Sequence, residues 1–127
     1  MVRARFIQAE DLSRRILIVD DDADLRGMLR GVFAAEGFAV YTASHGRSAL
    51  KLLDLLRPPP RCVILDLQMP VMDGWEFMER LSARRVKPAV VVLSAAADPP
   101  AGARHYLPKP LALERLLEAV KSCCAER

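Results

Sequence analysis

The sequence has no long hydrophobic run. Its longest stretches free of Asp, Glu, Lys and Arg are ten residues, Gly37 to Gly46 and Pro88 to Ala97, against the roughly 18 a membrane span needs, so no membrane partner is expected. No signal peptide is expected either: Met1-Val2-Arg3-Ala4-Arg5-Phe6-Ile7 starts basic but meets Glu10-Asp11 before any apolar core. Cysteine is scarce, odd in number at three, and two of the three are the adjacent Cys123 and Cys124. No disulfide framework can be read from that, and a reducing, cytoplasmic setting is expected. Cys62 reads as a buried strand residue. Six glycines and nine prolines are too few for a fibrous chain, and 52% hydrophobic residues are too many for a disordered one. The two histidines, His45 and His105, have no partner at metal-ligand spacing and read as structural. There is no internal repeat. The net charge is +3, but the basic residues read as scattered over helix faces rather than gathered into the stripe a phosphate backbone requires, so no nucleic-acid partner is expected.

What is present fits one domain, since 127 residues is close to the modal domain size. Short β-branched runs alternate with segments of helical period, the pattern of parallel strands joined by crossover helices. The runs are Ile16 to Val19, Phe38 to Tyr41, Cys62 to Leu65, Ala89 to Leu93 and the weaker His105 to Leu107. The first, third and fourth are apolar at every position, as strands covered on both faces are. Between them Leu25, Met28, Leu29, Val32 and Phe33 form one helix face ended by Glu36-Gly37. Ala49, Leu52, Leu53 and Leu56 form a second, stopped by Pro58-Pro59-Pro60. Phe77, Met78 and Leu81 mark a third helix opened by Asp73-Gly74, and Leu113, Leu116, Leu117 and Val120 the last. From Ser94 to Ala103 only ten residues, two of them proline, link the fourth and fifth strands. A full helix does not fit there, and the spacing predicts at most one turn, over Ser94 to Ala97.

Ligands of an open parallel sheet bind beyond the carboxyl ends of its strands, at the switch point. There the first strand offers Asp20-Asp21-Asp22, the third Asp66, the fourth Ser94, and the fifth runs into Lys109-Pro110. Carboxylates this close raise one another's pKa unless a cation sits among them, and a hard divalent ion with oxygen ligands, Mg²⁺ best, resolves the conflict. Taken singly, each residue has a plainer reading. Asp22 is the N-cap of the first helix, Asp24 a surface residue favoured by the helix dipole, Ser94 a loop hydroxyl, and Lys109 solvated surface. Trp75 and Met78 read as packing residues. It is the conjunction at several strand ends that points to a site.

These segments resemble the receiver domains of two-component response regulators. The resemblance spans about residues 14 to 125, leaving 1 to 13 as an N-terminal arm, and rests on Ile16 to Asp22, Val63 to Gly74, Leu93-Ser94-Ala95 and Tyr106 to Pro110. It implies an α/β fold of the flavodoxin-like, doubly wound type: a five-stranded parallel sheet of order 2-1-3-4-5 with helices on both faces, the fourth helix here truncated. It implies that Asp66 accepts a phosphoryl group, that Asp20, Asp21, Asp66 and the backbone carbonyl of Gln68 hold Mg²⁺, and that Ser94 and Lys109 contact the phosphoryl oxygens. Ala95 would leave room for that group, and Ser94 and Tyr106 would form the switch; Tyr106 can also be read as a plain edge-strand aromatic. The implied partners are a histidine kinase or histidine phosphotransfer protein upstream and an unidentified protein downstream, the domain being a monomer or weak dimer. After Val120 only Lys-Ser-Cys-Cys-Ala-Glu-Arg remains, so no effector module is expected in this chain and no enzyme activity beyond self-phosphorylation and autodephosphorylation. Two alternatives stay open: a receiver-like interaction module that never uses phosphate, and a small Mg²⁺-dependent phosphohydrolase. The latter lacks a second acid two residues after Asp66, where Leu67-Gln68 follows.

Overall fold

The apolar runs form the five parallel strands of one sheet: β1 (Arg15–Val19), β2 (Ala39–Ala43), β3 (Cys62–Asp66), β4 (Ala89–Ser94) and β5 (His105–Pro108), ordered β2-β1-β3-β4-β5. This computed structural model describes residues 11–67, 72–94 and 101–125. Four helices lie among them: α1 (Ala23–Ala35), α2 (Gly46–Leu55), α3 (Gly74–Ser82) and α4 (Leu113–Ala125). The sheet has the flavodoxin-like order expected, and no described helix is long and apolar enough to cross a membrane.

Strand alternation divides the core in two. Leu17, Val19, Val63, Leu65, Val90 and Val92 pack with Ala49 and Leu53 of α2 and Phe77, Met78 and Leu81 of α3. Ile16, Ile18, Cys62, Ile64, Val91 and Leu93 pack on the other face with Leu29 and Phe33 of α1 and Leu116 and Val120 of α4. Covered on both sides, the three central strands can be apolar throughout. Cys62, Cys123 and Cys124 are buried in that second layer and form no disulfide; burial and the neighbouring Cys123 push the Cys124 thiol up to about 11, which leaves it protonated and inert.

Several local expectations need correction. The second strand begins at Ala39, because Gly37 turns the chain at φ +91° and sends Phe38 back onto Phe33 in an edge-to-face contact at 5.5 Å. Met28 is 45% exposed, since α1 buries a narrower stripe centred on Leu29 and Phe33. Trp75 is not a packing residue: it is 44% exposed, about 200° around the helix from buried Phe77. The cations are not simply scattered over helix faces. Arg57, Arg61, Arg84, Arg85, Lys87 and Arg104 all occupy the segments that lead into β3, β4 and β5, at the amino edge of the sheet. Of the link between β4 and β5, residues 101–104 form no helix and turn at Gly102, φ +92°; the single turn expected over Ser94 to Ala97 falls largely outside the described residues. Of the N-terminal arm, Asp11 caps a one-turn 3-10 helix, Leu12–Arg14.

Gly27 and Gly31 lie exposed within α1, and none of the described residues approaches within 4 Å of a Cβ added at either. Replacing either by Ala should therefore stabilise the domain by about 0.5–1 kcal/mol. Thermal melts followed by circular dichroism check this, and a lowered midpoint would contradict it.

Candidate functional site

One row of register assembles the site. Val19 pairs with Leu65, so Asp20 and Asp66 leave the sheet side by side. Asp66 pairs with Leu93 and Ser94 with Pro108, and the Lys109 amide donates to the Ser94 carbonyl at 3.1 Å. Residues from four strands thus reach the carboxyl edge together, where the sheet order reverses between β1 and β3. The Lys109–Pro110 peptide bond is cis. Asp20 is 2%, Asp66 5% and Ser94 1% exposed, whereas Asp21 lies at the surface.

One carboxylate oxygen from each of Asp20, Asp21 and Asp66 lies within 4.8 Å of the others. Lys109 Nζ stands 3.5 Å from Asp66 Oδ1. Asp20 Oδ1 accepts the Asp22 amide at 2.9 Å, but Asp20 Oδ2 is buried and accepts no hydrogen bond among the described residues. Burial raises the Asp20 pKa above its ordinary value of 3.8, opposed by the Asp22 amide; Asp66 raises it further, Lys109 lowers it, and Asp21 adds a smaller push upward. A buried acceptor without a donor, among oxygen-only ligands of like charge, is what a hard cation satisfies. These residues fit Mg²⁺, and Asp20, Asp21 and Asp66 would hold it.

Neutralising the buried member tests this. In metal-free protein Asp20→Asn should raise stability by about 1–3 kcal/mol, the usual cost of a buried unsatisfied polar group, while Mg²⁺ should no longer raise the melting temperature. Because the folded pKa of Asp20 is raised, the folded state binds its proton more tightly than the unfolded state. The stability cost is therefore absent below pH 3.8, grows as pH rises toward the folded pKa and is complete above it, so the variant's advantage should vanish on acidification. Melts across pH with and without Mg²⁺ measure both effects; an Mg²⁺ response equal to the wild type would rule out Asp20 as a ligand.

Local caps hold the surrounding elements. Asp22 caps α1, accepting the Asp24 and Leu25 amides at 3.0 and 3.2 Å, as its sequence position implies. Asp73 caps α3 by accepting the Glu76 amide at 2.9 Å. His45 is structural: its Nδ1 accepts the Ser48 amide at 3.2 Å and caps α2. His105 lies in β5, half-buried and opposite Val91. Tyr106, half-buried, packs against the α2/α3 layer. Gln68 and Ala95 lie outside the described residues.

Two contributors were not found from sequence. Arg26 Nη1 donates to the Asp20 carbonyl at 2.8 Å, clamping the turn that carries the acidic pair. Gly74 packs so tightly behind Asp66 that an added Cβ would lie 2.5 Å from Leu67 Cα and 2.9 Å from the Asp66 carbonyl oxygen. Arg26 carries no distinguishing sequence signal; Gly74 does, as a glycine at the first position of a helix.

The family model of the response regulator receiver domain matches residues 16–121. The chain is 40% identical over 115 residues to the response regulator MprA of Mycolicibacterium vanbaalenii, covering 85% of this chain and 49% of that protein, so it spans about half the length of the curated relatives it matches. A CheY-like response regulator receiver domain protein from Methanospirillum hungatei superposes with a TM-score of 0.76 at 28% identity, over 87% of this chain and 93% of the other. The receiver domain of the Francisella response regulator 1452 shares the fold, with a TM-score of 0.79 at 23% identity over 87% and 96%. By sequence along most of its length and by the topology that gathers its acidic edge, the chain belongs to the response regulator receiver domain family.

Proposed function

We propose that the domain is a phosphoacceptor in a two-component phosphorelay, taking a phosphoryl group from a histidine kinase or histidine phosphotransfer protein onto Asp66. The observation that carries this reading is the pairing of opposites around one buried carboxylate, with Asp20 and Asp21 on one side of Asp66 and the Lys109 ammonium 3.5 Å away. A carboxylate oxygen of Asp66 forms the new bond to phosphorus as the bond from phosphorus to the donor imidazole breaks, the imidazole leaving with the electron pair. Mg²⁺, when bound by Asp20, Asp21, Asp66 and the Gln68 carbonyl, supplies positive charge at the transferring group. Lys109 offers a second cation, and the buried Ser94 hydroxyl a hydrogen bond to a phosphoryl oxygen. Drawing Ser94 toward that oxygen leaves space for the Tyr106 ring, which turns inward and alters the surface a downstream partner reads. On this reading the domain is a signalling module and turns over no external substrate beyond its own phosphorylation and dephosphorylation.

Incubation with acetyl phosphate and Mg²⁺, read by intact mass, should add one phosphoryl group, and chelation of the metal should prevent it. A wild-type protein that stays unmodified at saturating Mg²⁺ would leave a phosphate-independent interaction module as the better reading.

A further inference from the structure

The pole opposite the acidic edge is basic and concave. One cleft of about 550 Å³ opens where Arg61, Lys87 and Arg104 lead into β3, β4 and β5. A second, of about 500 Å³, is lined by Arg57, Arg84 and Arg85. Pro59, Val86 and Pro88 line both, so the two clefts adjoin in one grooved, basic surface. Its cations are unequally engaged. Arg84 is held by Asp54 at 2.8 Å, and Arg61 donates to the Cys124 carbonyl at 3.1 Å. Arg57, Arg85 and Lys87 are exposed and make no ion pair among the described residues. Val86, 68% exposed, adds an apolar contact between them, and prolines give the walls a shape that needs little ordering on binding.

We propose that this groove docks an acidic polypeptide segment, with Asp or Glu side chains placed around a small apolar residue. Guanidinium groups pair with carboxylates through two parallel hydrogen bonds, and an extended chain fits a groove with cations on its rim. Nucleic acid fits less well. Among the described residues no aromatic side chain lines either cleft, whereas single strands are held largely by stacking, and a duplex needs a protruding basic surface rather than a hollow. The acidic cluster at the far edge repels the same ligand, so electrostatics steers it toward this pole.

The test uses the full chain and a fluorescein-labelled peptide of alternating Glu and Val, followed by anisotropy at low and high salt, with a Gln and Val peptide and DNA of matched charge as comparisons. The acidic peptide should bind saturably and release at high salt. The triple substitution Arg57→Glu, Arg85→Glu, Lys87→Glu should weaken it about tenfold or more, yet leave acetyl phosphate uptake at Asp66 unchanged, which also shows that the variant folds. Amide shifts at Val86 and Gly102, rather than at the acidic edge, would locate the contact. No saturable binding, an unaffected triple variant, or DNA bound as tightly as the peptide would overturn the proposal without touching the phosphoacceptor reading, which is measured at the other pole.

Discussion

Asp66→Asn should take up no phosphoryl group from acetyl phosphate while keeping the wild-type circular dichroism spectrum. Asn matches Asp in volume, so the position at the end of β3, 5% exposed, is not repacked. What disappears is the anionic oxygen that, on the proposed reading, attacks phosphorus. Lys109→Ala separates nucleophile from electrostatic helper. Removing a cation 3.5 Å from Asp66 leaves the attacking oxygen in place, so this variant should still be modified, but about 10²–10³-fold more slowly. Intact mass at long incubation distinguishes the two: none for Asp66→Asn, one group for Lys109→Ala. Modification of Asp66→Asn to the wild-type extent would show that another residue is the acceptor.

The site was legible in sequence to the extent that parallel-sheet topology dictates it. Asp20, Asp66, Ser94 and Lys109 each end or follow a strand, and strands of a parallel sheet end on one edge, so residues some ninety positions apart meet there. The Asp22 cap was legible for the same local reason that Asp precedes a periodic helix face. Contacts that depend on how one element leans on another were not. Arg26 reaches back to the Asp20 carbonyl through its own rotamer, and nothing in its spacing marks that. Trp75 carries a large apolar side chain, yet its place on α3 leaves it at the surface. The basic pole was not legible because its cations are spread from Arg57 to Arg104 and share no helical face; only the return of each connection to the sheet's amino edge brings them together. Residues that terminate elements are placed by topology, whereas residues that act across elements are placed by packing.

Gly74→Ala should slow acetyl phosphate uptake about 100-fold, although the substituted methyl group touches no reacting atom. Gly74 opens α3, its amide donates to the Leu67 carbonyl at 2.8 Å, and an added Cβ would sit 2.5 Å from Leu67 Cα and 2.9 Å from the Asp66 carbonyl. The nearest obstacle is backbone, which cannot rotate away as a flexible side chain can. Either α3 lifts from the end of β3, or the chain at Asp66 and Leu67 moves toward the acidic pair. A displacement near 1 Å at a reacting group costs about 10²-fold in rate, and overpacking of this kind destabilises by roughly 1–3 kcal/mol. Gly31→Ala, with open space around its Cβ, serves as the control and should leave phosphorylation unchanged. Rates are to be compared at a temperature where melts show every variant folded, so that loss of activity is not loss of structure. A Gly74→Ala protein that is phosphorylated at the wild-type rate would mean that α3 yields freely and that the position of Asp66 does not depend on this contact.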